Sequence, residues 1–258
     1  MQLLLGIDGG GTTTSLVAAD AMGAPRARVQ VAGSSLSRHS ALEVASILAT
    51  GVERCGLQGA DVAAVCGGFA SAGDAARQTV YHQILQTLLP RARVQVLTDA
   101  ELAWYGAAGG ADALVVLAGT GSIAWGRRGG RQFRAGGAGP NGDAGSGDWI
   151  GRQAVAAGLI AEPEAGDYAA LLPALAHAPA RAKVIFRRAG RELALLAATC
   201  ARGLEWSDPE VYLWGGVFDH VSAVRQAFCA ACPWPPRRLR TPPVEAALGL
   251  ARAALDQP

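Results

Sequence analysis

The sequence predicts an α/β protein made of two similar halves, and three observations carry that prediction. Short apolar runs that read as strands alternate with longer stretches whose apolar residues recur at helical spacing. A strand, glycine turn, strand plan at Leu3 to Ala19 returns at Ala113 to Gly126, about 110 residues later, as an internal repeat of one structural unit would. Half of the residues are hydrophobic and 17% are charged, a balance that supports a folded, well-cored chain and argues against disorder.

In chain order, Leu3 to Ile7 reads as a strand, Asp8-Gly9-Gly10-Gly11-Thr12-Thr13-Thr14 as a turn, and Ser15 to Ala19 as the returning strand. Ser40 to Cys55 has helical spacing, Val62 to Cys66 is a strand, and Asp74 to Leu89 is a helix ended by Pro90. Val94 to Leu97 is a strand that delivers Asp99. The predicted division falls near Gly106 to Ala111, giving domains of residues 1–108 and 109–258. The second half opens with the strand Ala113 to Ala118, the turn Gly119-Thr120-Gly121-Ser122 and the apolar stretch Ile123 to Gly126. A glycine-rich stretch from Gly136 to Gly147 leads into an amphipathic segment, Trp149 to Leu159. Helices follow at Arg191 to Arg202 and His220 to Ala231, on either side of a strand, Val211 to Trp214, that Gly215-Gly216 closes. The proline- and arginine-rich Pro233 to Pro243 cannot be helical throughout, and Val244 to Leu255 closes the chain as a helix.

The formal charge of +2 is carried almost wholly by arginine, Lys183 being the only lysine. The basic residues are scattered, which speaks against a nucleic-acid partner. No run reaches the roughly 18 apolar residues of a membrane span, and the MQLLLGIDGGG start lacks the cationic lead of a signal peptide, so a cytoplasmic protein without a membrane partner is expected. The five cysteines, Cys55, Cys66, Cys200, Cys229 and Cys232, are an odd set and read as free thiols; Cys229-Ala-Ala-Cys232 alone has a suggestive spacing.

Three glycine turns, Gly9 to Gly11, Gly119 to Gly121 and Gly215 to Gly216, each follow a short apolar strand. Glycine lets backbone N–H groups approach an anion closely, and the hydroxyls of Thr12, Thr13 and Thr120 add donors. The lysine-assisted phosphate loop is excluded, since the only lysine lies elsewhere. The dinucleotide fingerprint fails too, because the first glycines lead into a strand rather than a helix.

The segments LLLGIDGGGTTTSLVAAD, VLTDAELA, LVVLAGTGSIAWG, GDAGSGDWIGRQA, LWGGVF and PPVEAALGLA stand in an order that resembles the N-acetylglucosamine kinase and benzoyl-CoA reductase activator ATPases, the BadF/BadG/BcrA/BcrD family of the actin and sugar-kinase superfamily. The resemblance covers nearly the whole chain. It implies two ribonuclease H-like domains of actin/hexokinase type around a central ATP cleft, with the last helix packing back on the first domain. It implies ATP and Mg²⁺ as cofactor and metal, with Asp8 helping to hold the metal through water. Gly10, Gly11, Thr12 and Thr13 resemble the first phosphate loop, Gly119, Thr120 and Gly121 the second, and Gly215 and Gly216 the adenosine turn. Asp99 matches the catalytic base, and Gly142, Asp143 and Gly145 the sugar-binding element. Locally, Asp99 also reads as a helix N-cap and Asp143 as a turn aspartate.

Where the family commonly has glutamate and an aromatic, this chain has Ala144 and Ala138, and no asparagine stands in Gly33-Ser34-Ser35-Leu36-Ser37, leaving Ser35 or Ser37 to take its place. Trp104, Trp125 and Trp149 read either as a sugar platform or as core. The expected activity is phosphorylation of a hydroxyl on a small amino sugar, N-acetylglucosamine or glucosamine, with homodimers frequent in such families. The alternatives are a non-catalytic sugar or nucleotide sensor and an ATPase activator of a radical dehydratase or reductase.

Overall fold

The computed structural model describes residues 2–58, 61–139, 142–163, 166–176 and 180–255, apart from the side chains of 180 and 181. The elements run β1 (Leu3–Gly9), β2 (Thr13–Asp20), β3 (Pro25–Ala32), α1 (Ala41–Arg54), β4 (Val62–Phe69), α2 (Ala75–Leu88), β5 (Arg93–Thr98), α3 (Asp99–Ala108), β6 (Ala113–Ala118), β7 (Ser122–Arg128) and β8 (Arg131–Gly136). Then come α4 (Gly147–Ala156), a 3-10 turn (Tyr168–Leu171), α5 (Leu172–Ala176), α6 (Ala180–Gly203), β9 (Val211–Trp214), α7 (Gly216–His220), α8 (Ser222–Ala231), β10 (Arg237–Arg238) and α9 (Pro243–Leu255).

Two compact units result, one ending at Gly109 and regaining the chain from Thr241, the other spanning Gly110–Arg240. Each holds a five-stranded mixed sheet, β3-β2-β1-β4-β5 in the first and β8-β7-β6-β9-β10 in the second. Both have the same plan: two antiparallel pairs, then parallel strands. The glycine-turn repeat therefore reflects a repeated sheet topology.

In the first unit, Leu5, Ile7 and Leu16 alternate onto one sheet face, where they meet Val44, Leu48 and Val52 of α1 and Tyr81 and Leu85 of α2. The i, i+4, i+8 spacing of the α1 residues makes that helix one-sided, and Ser40 and Glu43 start it with a reciprocal capping box. Leu4, Val17, Ala64 and Cys66 occupy the opposite face and bury Leu102 of α3 with Val244, Ala247 and Leu248 of α9. Burying one such aliphatic side chain contributes about 1.5–3 kcal/mol. The close approach of α9 depends on Gly6, where a Cβ would stand 2.5 Å from the Val244 carbonyl oxygen and 2.6 Å from the Leu248 nitrogen. Helix α9, which the expected boundaries put within 109–258 while packing back on the first domain, thus shares a core with β1 and β4.

In the second unit Leu114, Val116, Ala118 and Ala124 line the sheet face covered by α6, whose Phe186, Ala189, Leu193 and Ala197 are buried there with Val224 and Phe228 of α8. Helix α6 begins earlier than the predicted Arg191, and the helix predicted from about His220 to Ala231 is α8, which starts at Ser222 after the separate short α7. Strands β3, β8 and β10 were not expected. β3 alternates half-buried and exposed residues, and β8 has Ala135 as its one buried residue, so edge strands of this kind carry little apolar signal. Trp104 and Trp125 are core residues, whereas Trp149 is half-buried beneath the Arg188 guanidinium, 5.2 Å from its ring. Among the described residues, no helix is long and apolar enough to cross a membrane.

Candidate functional site

Within the first unit, Asp8, the 10–13 turn and Asp99 gather at one edge of the sheet. The parallel strands β1, β4 and β5 end in register there, Gly9 beside Phe69 and Phe69 beside Thr98. Crevices at the carboxyl ends of such strands are the usual ligand positions of α/β sheets. The turn is closed by the Gly10 N–H donating to the Thr13 carbonyl at 2.9 Å, and it is braced from outside by the Ser34 N–H on the Gly10 carbonyl at 3.2 Å. Thr12 and Thr13 are exposed and Gly10 and Gly11 half-buried, leaving the turn open to solvent.

Asp8 is half-buried and pairs laterally with Gly68 of β4. Gly68 lies against Leu102 of α3, a Cβ there standing 2.6 Å from Leu102 Cδ2. Helix α3, whose first residue is Asp99, packs on that glycine through the Leu102 side chain. Burial, followed by the Asp99 charge, pushes the Asp8 carboxyl up to about 7.

The capping reading of Asp99 is corrected by its neighbours. Thr98 is the N-cap, and Thr98 and Glu101 form the complete capping box. Asp99 is the first helical residue, half-buried, with its Oδ1 accepting the Ala100 N–H at 2.8 Å.

The loop from Gly33 to Ser37 is organised by a residue that sequence reasoning missed. Tyr81 of α2 stacks on Phe69 with ring centroids 4.0 Å apart and donates its hydroxyl proton to the Ser34 carbonyl at 2.8 Å. The same hydroxyl lies 2.7 Å from Ser71 Oγ and accepts the Leu36 N–H at 2.9 Å. Desolvation raises the Tyr81 pKa. Ser35 is buried at 2% exposure, and its Oγ is 2.8 Å from Ser37 Oγ. Nothing local distinguishes Tyr81 from any other core residue of an amphipathic helix, so the sequence offered no signal for it.

In the second unit, the 119–121 and 215–216 turns follow the adjacent parallel strands β6 and β9, which pair Leu117 with Trp214. Gly215 has φ 111° and lies so close to the Ala118 carbonyl that a Cβ would be 2.4 Å from its oxygen. Only glycine fits both conditions. Gly216 then begins α7. The 119–121 turn is closed by the Gly119 N–H on the Gly121 carbonyl at 3.0 Å. It is pinned by the start of α4, the Gly147 N–H donating to the Gly119 carbonyl at 2.8 Å and the Asp148 N–H to that of Thr120 at 3.2 Å. Ser146 caps that helix by accepting the Trp149 N–H.

Asp143 is 6% exposed. Its Oδ1 accepts the N–H groups of Ala138 at 2.7 Å and Gly139 at 3.2 Å, and its Oδ2 accepts that of Ser122 at 3.3 Å. This is a turn-aspartate arrangement, with the carboxylate joining Ala138 and Gly139 to the turn at Ser122. Desolvation raises its pKa against the lowering effect of those donors. Gly142 donates to the Gly139 carbonyl at 2.9 Å, and Gly145, at φ 85°, lies where a Cβ would be 2.7 Å from the Ala189 carbonyl oxygen.

An N-acetylmuramic acid/N-acetylglucosamine kinase of Clostridium acetobutylicum is 30% identical over 173 residues, covering 65% of this chain and 56% of that protein. The match thus spans little more than half of that relative. A proposed N-acetylglucosamine kinase of Porphyromonas gingivalis superposes with a TM-score of 0.78 at 18% identity, over 98% of this chain and 99% of the other. A ROK family glucokinase of Streptomyces griseus, solved with glucose and AMPPNP, gives 0.68 at 20% identity over 97% and 99%. These likenesses show the fold, a two-domain α/β architecture shared with those structures. The family match runs from residue 5 in β1 to residue 231 at the end of α8, through all three glycine turns, and with it the chain belongs to the BadF/BadG/BcrA/BcrD ATPase family.

Proposed function

We propose that this protein is an ATP-dependent kinase that phosphorylates a hydroxyl of a small amino sugar, N-acetylglucosamine or glucosamine. The observation that carries the reading is the relation of Asp99 to its neighbours. Thr98 and Glu101 do the capping, while the Asp99 carboxylate, at the end of β5, is electrostatically coupled to Asp8. Two carboxylates at one sheet edge are unfavourable for a structural role and useful for phosphoryl transfer, which needs a proton acceptor and charge neutralisation.

In this reading Asp99 accepts the proton of the sugar hydroxyl as that oxygen bonds to phosphorus. The open turn from Gly10 to Thr13 offers N–H and hydroxyl donors to phosphate oxygens, and so does the turn from Gly119 to Gly121. Gly215 and Gly216 take the adenosine. A carboxylate whose ionisation is resisted by burial and a like charge suits a divalent cation, so Asp8, acting through water, is the residue that would hold Mg²⁺. When bound, that ion supplies neutralisation of the phosphate charge. Asp143 becomes a positioning residue that holds the 119–122 turn, and Ser35 or Ser37 presents the sugar-side loop that Tyr81 braces. The curated relative's sugar kinase activity supports the substrate class.

A coupled ADP-release assay with magnesium-ATP tests the proposal, using N-acetylglucosamine, glucosamine, N-acetylmuramic acid, N-acetylmannosamine and glucose. Sugar-dependent release with an amino sugar is the expected result. ATP binding without release on any sugar would overturn it in favour of a sensor.

A further inference from the structure

The Cys229-Ala-Ala-Cys232 spacing plays no part in the proposed phosphoryl transfer, yet it lies beside a cavity in the second unit. That cavity, of about 210 Å³, is lined by Arg225 and Cys229 of α8, Arg237 and Arg238 of β10, and Asp219 of α7. Leu213 and Phe218 give it an apolar wall. Arg225 and Cys229 are one helical turn apart, the spacing that makes side chains neighbours on a helix face. Arg237 bonds Glu210 at 2.8 Å. Three arginines thus line the cavity with one aspartate, Arg237 being paired with Glu210 outside that lining.

The cysteines differ sharply in access. Cys55, Cys66, Cys200 and Cys232 are buried, and Cys229 is exposed. A mixed disulfide can therefore form at Cys229 without opening a core, whereas the other four thiols are shielded by packing. Cations beside a thiol attract anionic reagents to it.

We propose that this cavity is a thiol-modification site, in which the arginines bind the carboxylates of a small acidic disulfide and Cys229 exchanges with it. The Cys229 thiolate attacks one sulfur of the disulfide. The old S–S bond breaks as the new one forms, and the other half leaves as a thiolate that takes up the proton lost by Cys229. The acidic disulfide is itself the oxidant, and no other is required.

The test compares oxidised glutathione, which carries four carboxylates, with cystamine, a cationic disulfide, on the full-length native protein at low salt. Intact-mass and peptide mapping give the rate and position, and each rate is divided by that of a free cysteine peptide. The expected result is a single mixed disulfide at Cys229, with a normalised preference for the anionic reagent of about tenfold or more. In Arg225→Gln with Arg238→Gln this preference falls several-fold, and it falls in the wild type when salt is raised. Equal normalised rates for the two reagents would overturn the proposal without recourse to any variant. So would modification elsewhere, or an intramolecular Cys229–Cys232 disulfide that retains no tripeptide.

Discussion

Thr98 and Glu101 satisfy each other at the start of α3. The Glu101 N–H donates to Thr98 Oγ1 at 3.1 Å, and the Thr98 N–H donates to Glu101 Oε2 at 2.9 Å. The helix is therefore started by the residues on either side of Asp99 and Ala100, and chemistry and capping are separable by mutation.

For Asp99→Asn, turnover in the ADP-release assay is expected to fall about a hundredfold or more, as for loss of a general base. ATP binding and the thermal midpoint should stay close to wild type. A near-wild-type rate would remove Asp99 from the proposed chemistry.

Thr98→Ala reads the other half of the separation. Loss of the cap should cost about 1 kcal/mol. For a chain of this size that lowers Tm by roughly 2–4 °C. Turnover should fall far less than in Asp99→Asn, and scanning calorimetry beside the kinetic assay checks both. The reverse pattern would show that the Thr98 cap, not the Asp99 carboxylate, governs activity.

Asp8 makes stability depend on pH in the opposite sense to a salt-bridged carboxylate. Its folded pKa, about 7, lies above the ordinary value of 3.8. Between these values the folded protein retains a proton that the unfolded chain has released, so stability falls as pH rises through the window and levels off above it. Asp8→Asn removes at most about 4 kcal/mol of that cost. Its Tm should exceed the wild type clearly at about pH 8 and hardly at about pH 4. An offset independent of pH would refute the raised pKa.

Gly6→Ala should destabilise the first unit by about 1–3 kcal/mol, the range for overpacking, because its Cβ would collide with the backbone of α9. Urea denaturation measures the loss. A neutral result would mean that α9 can shift away from β1 at no cost.

Tyr81→Phe keeps the ring stacked on Phe69 but deletes the hydroxyl shared by Ser34, Leu36 and Ser71. A loss of about 1–3 kcal/mol is expected from the buried groups left unpaired. If this loop meets the sugar, KM for sugar rises while KM for ATP is little changed. Equal increases in both would argue against a sugar-side role.

Much of this was legible from local pattern. Apolar runs closed by glycine marked β1, β6 and β9, and helical spacing from Ser40 to Cys55 marked α1. The edge strands β3 and β8 were not legible, since most of their residues are solvent-facing and their partners supply the pattern. Asp143 was ambiguous for a related reason. A Gly-Asp turn looks alike whether its carboxylate faces a ligand or the N–H groups of Ser122, Ala138 and Gly139.

By itself, the sequence determined the strands that end in glycine turns, the repeated strand–turn–strand plan and the residue types available for phosphate contact. These follow from backbone freedom and periodicity, which act over a few neighbouring residues. Only the tertiary structure decided that α9 lies against Gly6, that Asp8 and Asp99 are electrostatically coupled, and that Tyr81 holds the serine loop. Those relations join residues far apart in the chain, and packing and burial, which the local sequence does not encode, set their energies.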